Sequence, residues 1–142
     1  MNIGNIVLST ALMLSIASVF FMIRSLQDKE KSFLAGQRIF YITGILIIFA
    51  FLLLFNFFLN NEFQYAYVYS NSSKSMPIAY KIAAVWAGNE GSFLIWLLIL
   101  NICGIAVISK TDQFTPIILT AVAVTQIFIL IILLVKSPFT HV

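Results

Sequence analysis

Charge is what this chain has least of: nine per cent of its 142 residues are Asp, Glu, Lys or Arg. A soluble domain carries about a quarter, because its surface has to be solvated. Cysteine and histidine occur once each, as Cys103 and His141. One of each excludes a CxxC redox pair, a CxxCH haem-attachment site and a Cys/His zinc cluster within the chain. Cys103 lies inside an apolar run and reads as helix-packing filler. The five carboxylates are scattered, so no catalytic acid–base pair and no metal site is assigned. The net charge of +3 comes from basic residues at the ends of apolar runs. They read as membrane-topology signals and not as a nucleic-acid footprint. Residues 1–5 hold no Lys or Arg, so the first apolar run lacks the basic n-region of a secretory signal and reads as a retained span.

What fills the space left by charge is hydrocarbon: 61% of the residues are apolar or aromatic. About 20 predominantly apolar residues are needed to cross a bilayer as a helix. Four stretches meet or approach that length: Ile6–Ile23, Ile39–Leu59, Phe93–Ile108 and Phe114–Val135. The third is short and extends into the residues before it. β-Barrel strands would be shorter and would alternate polar with apolar residues. The fold class is therefore all-α integral membrane, with four transmembrane helices in a single unit spanning 1–142. Arg24, Lys29, Lys31, Arg38 and Lys110 lie on one side of the spans, and Lys74, Lys81 and Lys136 on the other. The positive-inside rule then makes the first side cytoplasmic and puts both termini and loop 60–91 outside. Asn56, Asn101 and Gln126 are amides within spans and read as helix–helix glue.

Loop 60–91 carries the information. Tyr65, Tyr67 and Tyr69 alternate, as in a short strand or as half-buried rings at the bilayer surface. Ser70–Ser75 is polar without helical pattern and reads as exposed loop. Pro77 suits the first turn of a helix, with Ser75 near a capping position. Ile78, Ile82 and Val85 recur at i, i+4 and i+7, with Lys81 elsewhere. That pattern predicts a short amphipathic interfacial helix over 77–86, anchored by Tyr80 and Trp86. Gly88 and Gly91 should end it. Ser92 or Asn89 then caps the third span, with Glu90 where the helix dipole favours an anion. Two readings of 86–92 stand side by side: a hinge between surface helix and span, or a place where glycine lets backbone approach a ligand or partner beside Trp86 and Glu90.

The segment from Tyr67 to Trp96 resembles the N-terminal part of the CcmF family, the haem lyase component of cytochrome c maturation, whose relatives include NrfE. The resemblance rests on Tyr67, Val68, Ser70, Asn71, Ser72, Pro77, Tyr80, Lys81, Ala84, Val85, Trp86, Gly88, Glu90, Gly91, Ser92 and Trp96. Ser137-Pro138-Phe139 is similar to an Asn-Pro-Phe after the family's fourth span. Ala87 departs from a frequent glycine and Asn89 from a frequent His or Gln. Members of that family are several-fold longer, with a tryptophan-rich outer segment, the WWD domain, and histidines that ligate haem.

The resemblance implies an N-terminal part of a split or truncated haem lyase in a bacterial inner membrane, with an organellar inner membrane as the alternative. Such a part would not be catalytic alone. It would pack against the WWD-domain part that attaches haem to apocytochrome c, with a haem chaperone as an indirect partner. Haem would be bound by the whole assembly and not ligated by this chain; His141 is assigned no ligand role. Trp86, Gly88, Glu90, Gly91 and Ser92 are the candidate haem-site or partner contact surface, followed by Tyr80 and Lys81. A small multi-pass transporter or channel subunit is the alternative, and an inactive fragment a third. Against the transporter, the spans hold almost no ionisable side chains.

Overall fold

The computed structural model describes residues 2–27, 29–110 and 113–142. In chain order the helices are α1 (Ile3–Ser25), α2 (Lys29–Leu59), α3 (Ala66–Asn71), α4 (Ile78–Ala84), α5 (Asn89–Lys110) and α6 (Thr115–Val135). Four of them, α1, α2, α5 and α6, are long and apolar enough to cross a membrane. Successive spans run in opposite directions, and they pack in ring order: α1 on α2, α2 on α5, α5 on α6, and α6 back on α1.

Two spans start a full turn or more before their apolar runs. At 1.5 Å per residue the 31 residues of α2 reach about 46 Å, beyond a hydrocarbon core of about 30 Å. The added turns hold Lys31, Ala35, Gln37 and Arg38, all tolerant of helix, and Glu30 sits in the first turn, where an anion suits the dipole. Their charge hides them from an apolar-run reading. α5 likewise gains its first turn from Asn89 to Ser92, again with an acid, Glu90, at the start.

The core divides into two apolar clusters. One, at the end bearing the long connection, includes Leu8, Leu54, Phe58, Leu94, Leu130 and Phe139. The other, at the far end, is built from Met22, Phe40, Ile108 and Leu119. Between them lie buried polar side chains from every span, Ser15, Ser18, Thr43, Asn101 and Gln126. Glycine allows the approach here: a Cβ on Gly44 would collide with the Asn101 amide, and one on Gly104 with the Phe40 ring. Asn101 thus packs closely on α2 at Gly44, while its amide nitrogen is buried without a hydrogen-bond partner. Asn56 instead accepts from Asn60, the residue just after its own helix, at 2.9 Å. Gln126 is fully buried with neither amide atom hydrogen-bonded. Cys103 is exposed on α5, contrary to the packing role read from its apolar surroundings.

The carboxyl end of α2 closes with Asn61 in the left-handed region at φ 56°. Glu62 N–H donates to the Phe57 carbonyl (3.0 Å) and Asn61 N–H to that of Phe58 (3.4 Å), so two orphan carbonyls of the last turn are satisfied. After α6, the segment from Ser137 folds back as a clasp. Asn2 Nδ2 donates to the Phe139 carbonyl at 2.6 Å, and the Ser137 hydroxyl donates to Asn5. Ala66 N–H donates to the Thr140 carbonyl (2.9 Å) and Val142 N–H to that of Gln64 (3.0 Å). His141 stacks on Tyr65 with centroids 4.8 Å apart, and Tyr65 stacks on Phe57 at 4.1 Å. Since the Asn2 amide nitrogen faces Phe139, its oxygen faces His141 and accepts from Nε2 at 2.8 Å.

Candidate functional site

Tyr67 organises the turn that joins α4 to α5. It lies in α3 and not on a strand: among the alternating tyrosines, only Tyr65 makes a bridge, and that is to His141. The ring is buried edge-on against Phe58 at 5.6 Å. Its hydroxyl donates to the Val85 carbonyl at 3.1 Å and accepts the N–H of Gly88 (3.1 Å) and of Gly91 (3.3 Å). One phenol therefore serves three backbone groups that neither helix can satisfy at its end. The glycines are needed for that approach. A Cβ on Gly88 would stand 2.7 Å from a Tyr67 ring carbon, and one on Gly91 would overlap the Val85 carbonyl oxygen. Burial pushes the Tyr67 hydroxyl above the usual phenol range; the two N–H donors oppose this and nearby Glu90 adds to it.

Glu90 sits in the first turn of α5 and faces Lys136, the residue that follows α6, with Nζ 3.5 Å from Oε1. Glu90 is 17% exposed and Lys136 71%. A half-exposed pair contributes at most about 1 kcal/mol, but each charge also suits its helix end, anion at an amino terminus and cation at a carboxyl terminus. Asn89 is itself the first residue of α5, and Ser92 caps nothing. Its hydroxyl turns back to donate to the Trp86 carbonyl at 2.9 Å, while its N–H donates to the Gly88 carbonyl at 3.1 Å.

The turn presents two unlike faces. On one, a cleft of about 680 Å³ is lined by Tyr67, Asn71, Asn89, Glu90, Lys136 and Ser137, among others. On the other, Trp86, Ser92, Ile95 and Trp96 line an apolar groove of about 360 Å³. Trp86 is 43% exposed and Trp96 62%. The predicted set is therefore split: Gly88 and Glu90 open onto the polar cleft, Trp86 and Ser92 onto the groove, and Gly91 is buried between them.

Tyr80 and Lys81 line neither. Tyr80 is exposed on α4, and so is Ile78. Lys81, in contrast, turns inward, opposite to the amphipathic pattern. It is 7% exposed, and its Nζ donates to Asn61 Oδ1 at 2.5 Å. The seven residues of α4 pack against the end of α2, where the helix dipole attracts a cation. Lys81→Met keeps the stem and removes the charge. It is expected to destabilise by about 1.5–3 kcal/mol, the range for a charge-assisted hydrogen bond, measured as the midpoint of denaturant unfolding in detergent. An unchanged midpoint would mean that desolvating the amine offsets the bond.

By sequence Tyr67 is one of three alternating tyrosines and a residue of the family resemblance, Lys136 a topology charge, and Asn61 part of the loop. A signal existed for Asn61, since Asn directly after an apolar helix favours the left-handed cap. For Tyr67 the pair of glycines three apart signalled close approach without naming the partner. Among the described residues no three His, Cys, Asp or Glu side chains converge on a metal-sized site.

No family model matches the chain. Over 146 aligned residues it is 30% identical to the cytochrome c-type biogenesis protein CcmF of Escherichia coli strain K12, covering 99% of this chain and 23% of that protein. The CcmF of Pseudomonas aeruginosa is 35% identical over 59% of this chain and 14% of its own length. The probable cytochrome c-type biogenesis protein NrfE of Escherichia coli strain K12 is 30% identical over 68% of this chain and 18% of its own. Among solved structures, cytochrome c haem lyase CcmF superposes with a TM-score of 0.83 at 26% identity, over 92% of this chain and 23% of that one. The chain thus spans about 23% of the length of the E. coli CcmF it matches.

Proposed function

This chain belongs to the CcmF/NrfE family, whose N-terminal segment it matches, and we propose that it serves cytochrome c maturation as the N-terminal part of a split or truncated haem lyase. In this reading it packs against the WWD-domain part that attaches haem to apocytochrome c. The membrane is a bacterial inner membrane, with both termini and the connection between α2 and α5 on the periplasmic side. The observation that carries the reading is the Trp86–Trp96 groove beside a turn whose Val85, Gly88 and Gly91 backbone groups are tied down by the Tyr67 hydroxyl. Such a rigid, half-exposed pair of tryptophans has the character of an interface anchor, because little side-chain entropy is lost when it is covered.

In this reading haem is bound by the whole assembly and is not ligated by this chain. The lone histidine, His141, has its Nε2 bonded to Asn2 and its ring stacked on Tyr65. The role of the chain is therefore positional: four helices and a fixed turn against which the haem-handling part is held.

Trp86→Ala, which leaves the Tyr67 network intact, is expected to lower the yield of holocytochrome c roughly tenfold when the protein is limiting, the loss typical of an interface tryptophan. Tagged wild type should also bring down a tryptophan-rich, histidine-bearing membrane polypeptide with a haem absorption band. Normal yield at normal protein level, or purification of the chain alone without haem, would sink the proposal.

A further inference from the structure

At the end of the bundle away from the Tyr67 turn, α1 carries a graded stripe. Phe20, Ile23, Arg24 and Gln27 follow the i, i+3, i+4, i+7 spacing of one helix face and together line a groove of about 450 Å³. Leu26 stays helical at φ −68° and ψ −20°, so Gln27 continues the stripe past the last residue of α1. Phe20 and Ile23 are exposed on a span, which in a membrane means that they face acyl chains. Phe20 is further braced edge-on by Phe21 at 5.6 Å. One turn on, a guanidinium and an amide stand where the hydrocarbon gives way to headgroups.

From this order of chemistry, apolar wall, then cation, then neutral hydrogen-bonding group, we propose that the groove is a binding site for an anionic phospholipid. One acyl chain lies along Phe20 and Ile23. The phosphate is held by Arg24, whose planar fork matches phosphate oxygens better than an ammonium would. Gln27 donates to a glycerol or phosphate oxygen. Charge at this end supports the choice of an anionic over a zwitterionic headgroup, since Lys31, Arg38 and Lys110 are also exposed there and outnumber the exposed acid Glu30. None of those three lines the groove, so they supply field and not a seat. The site is distant from the Tyr67 turn and stands independently of the haem-lyase reading.

The test is lipid retention. The protein is purified in mild detergent from membranes containing phosphatidylethanolamine and phosphatidylglycerol, and the lipid that stays bound is counted by native mass spectrometry. Wild type is expected to retain phosphatidylglycerol preferentially. Arg24→Gln should lower that retention about fivefold, the effect of one basic side chain at the headgroup level, while Lys31→Gln leaves it unchanged. Where Arg24→Gln fails to accumulate, Phe20→Ala is read instead, and removal of the acyl-chain wall should lower retention by a similar factor. Equal retention by wild type and the groove variants overturns the site, as does an equal loss in Lys31→Gln, which would mean diffuse attraction to the basic end.

Discussion

Tyr67→Phe is expected to destabilise the protein by about 3 kcal/mol although it removes a single oxygen. The reason is asymmetry. The ring remains against Phe58, so the transfer term of the apolar surface is untouched. What is lost is the one partner of three backbone groups, the Val85 carbonyl and the N–H of Gly88 and Gly91. An orphaned buried polar group costs about 1–3 kcal/mol; Val85 and Gly91 are buried, while half-buried Gly88 recovers part of its bond from water. The measurement is the denaturant midpoint in detergent, with amide exchange at Gly88 and Gly91 as the local readout. A loss under about 1 kcal/mol, with both amides still protected, would show that the turn holds its shape without the phenol.

The same residue makes a prediction about pH. Burial raises the folded-state value of Tyr67 above the ordinary 10.0. Above pH 10.0 the unfolded chain releases this proton while the folded chain keeps it, so the unfolded state binds fewer protons and stability falls with pH. The contribution is fully present below 10.0 and is lost as pH rises through the folded-state value. Tyr67→Phe should remove this part of the alkaline decline, which gives the hydroxyl a signature that a packing defect would not share.

How far these features were legible follows from the kind of signal each one leaves. The spans were legible because lipid admits only long apolar helices, so the requirement is written along the chain. The amino-terminal turns of α2 were not, because a helix outside lipid need not be apolar, and Glu30 to Arg38 read as loop by charge alone. α4 was found by its period, but its inward face was not. Lys81 is buried because the end of α2 supplies a negative dipole and Asn61 an acceptor, and both are features of a partner helix. The Trp86–Ser92 turn was found as a special segment, but its centre, Tyr67, is some twenty residues earlier. Glu90 starts its helix, as its place in the sequence predicts, while its partner Lys136 lies at the end of another span. In each case periodicity reported what a segment does for itself and was silent on what a distant segment does for it.

Phe139→Ala should have the largest effect of any single substitution outside the spans, about 3–5 kcal/mol, the cost of emptying a fully buried aromatic site. The ring lies in the clasp after α6, where no hydrophobic period marks it, yet it belongs to the same apolar cluster as Leu8, Leu54 and Leu130. It packs edge-on against Phe57 at 6.2 Å and fills the space above Gly4, where a Cβ would overlap it. Its carbonyl also accepts from Asn2. Losing the ring should therefore loosen the first turn of α1 as well as the tail, and the Tyr65–His141 stack with it. Unfolding in detergent gives the size of the effect, and protease cleavage after residue 135 gives its location. Gly4→Ala should be harmful in wild type, because the ring blocks the methyl, and much less so in the Phe139→Ala background, where the space has been vacated. If the two losses instead add, the ring and Gly4 are not in the contact described, and the clasp is held by its backbone bonds alone.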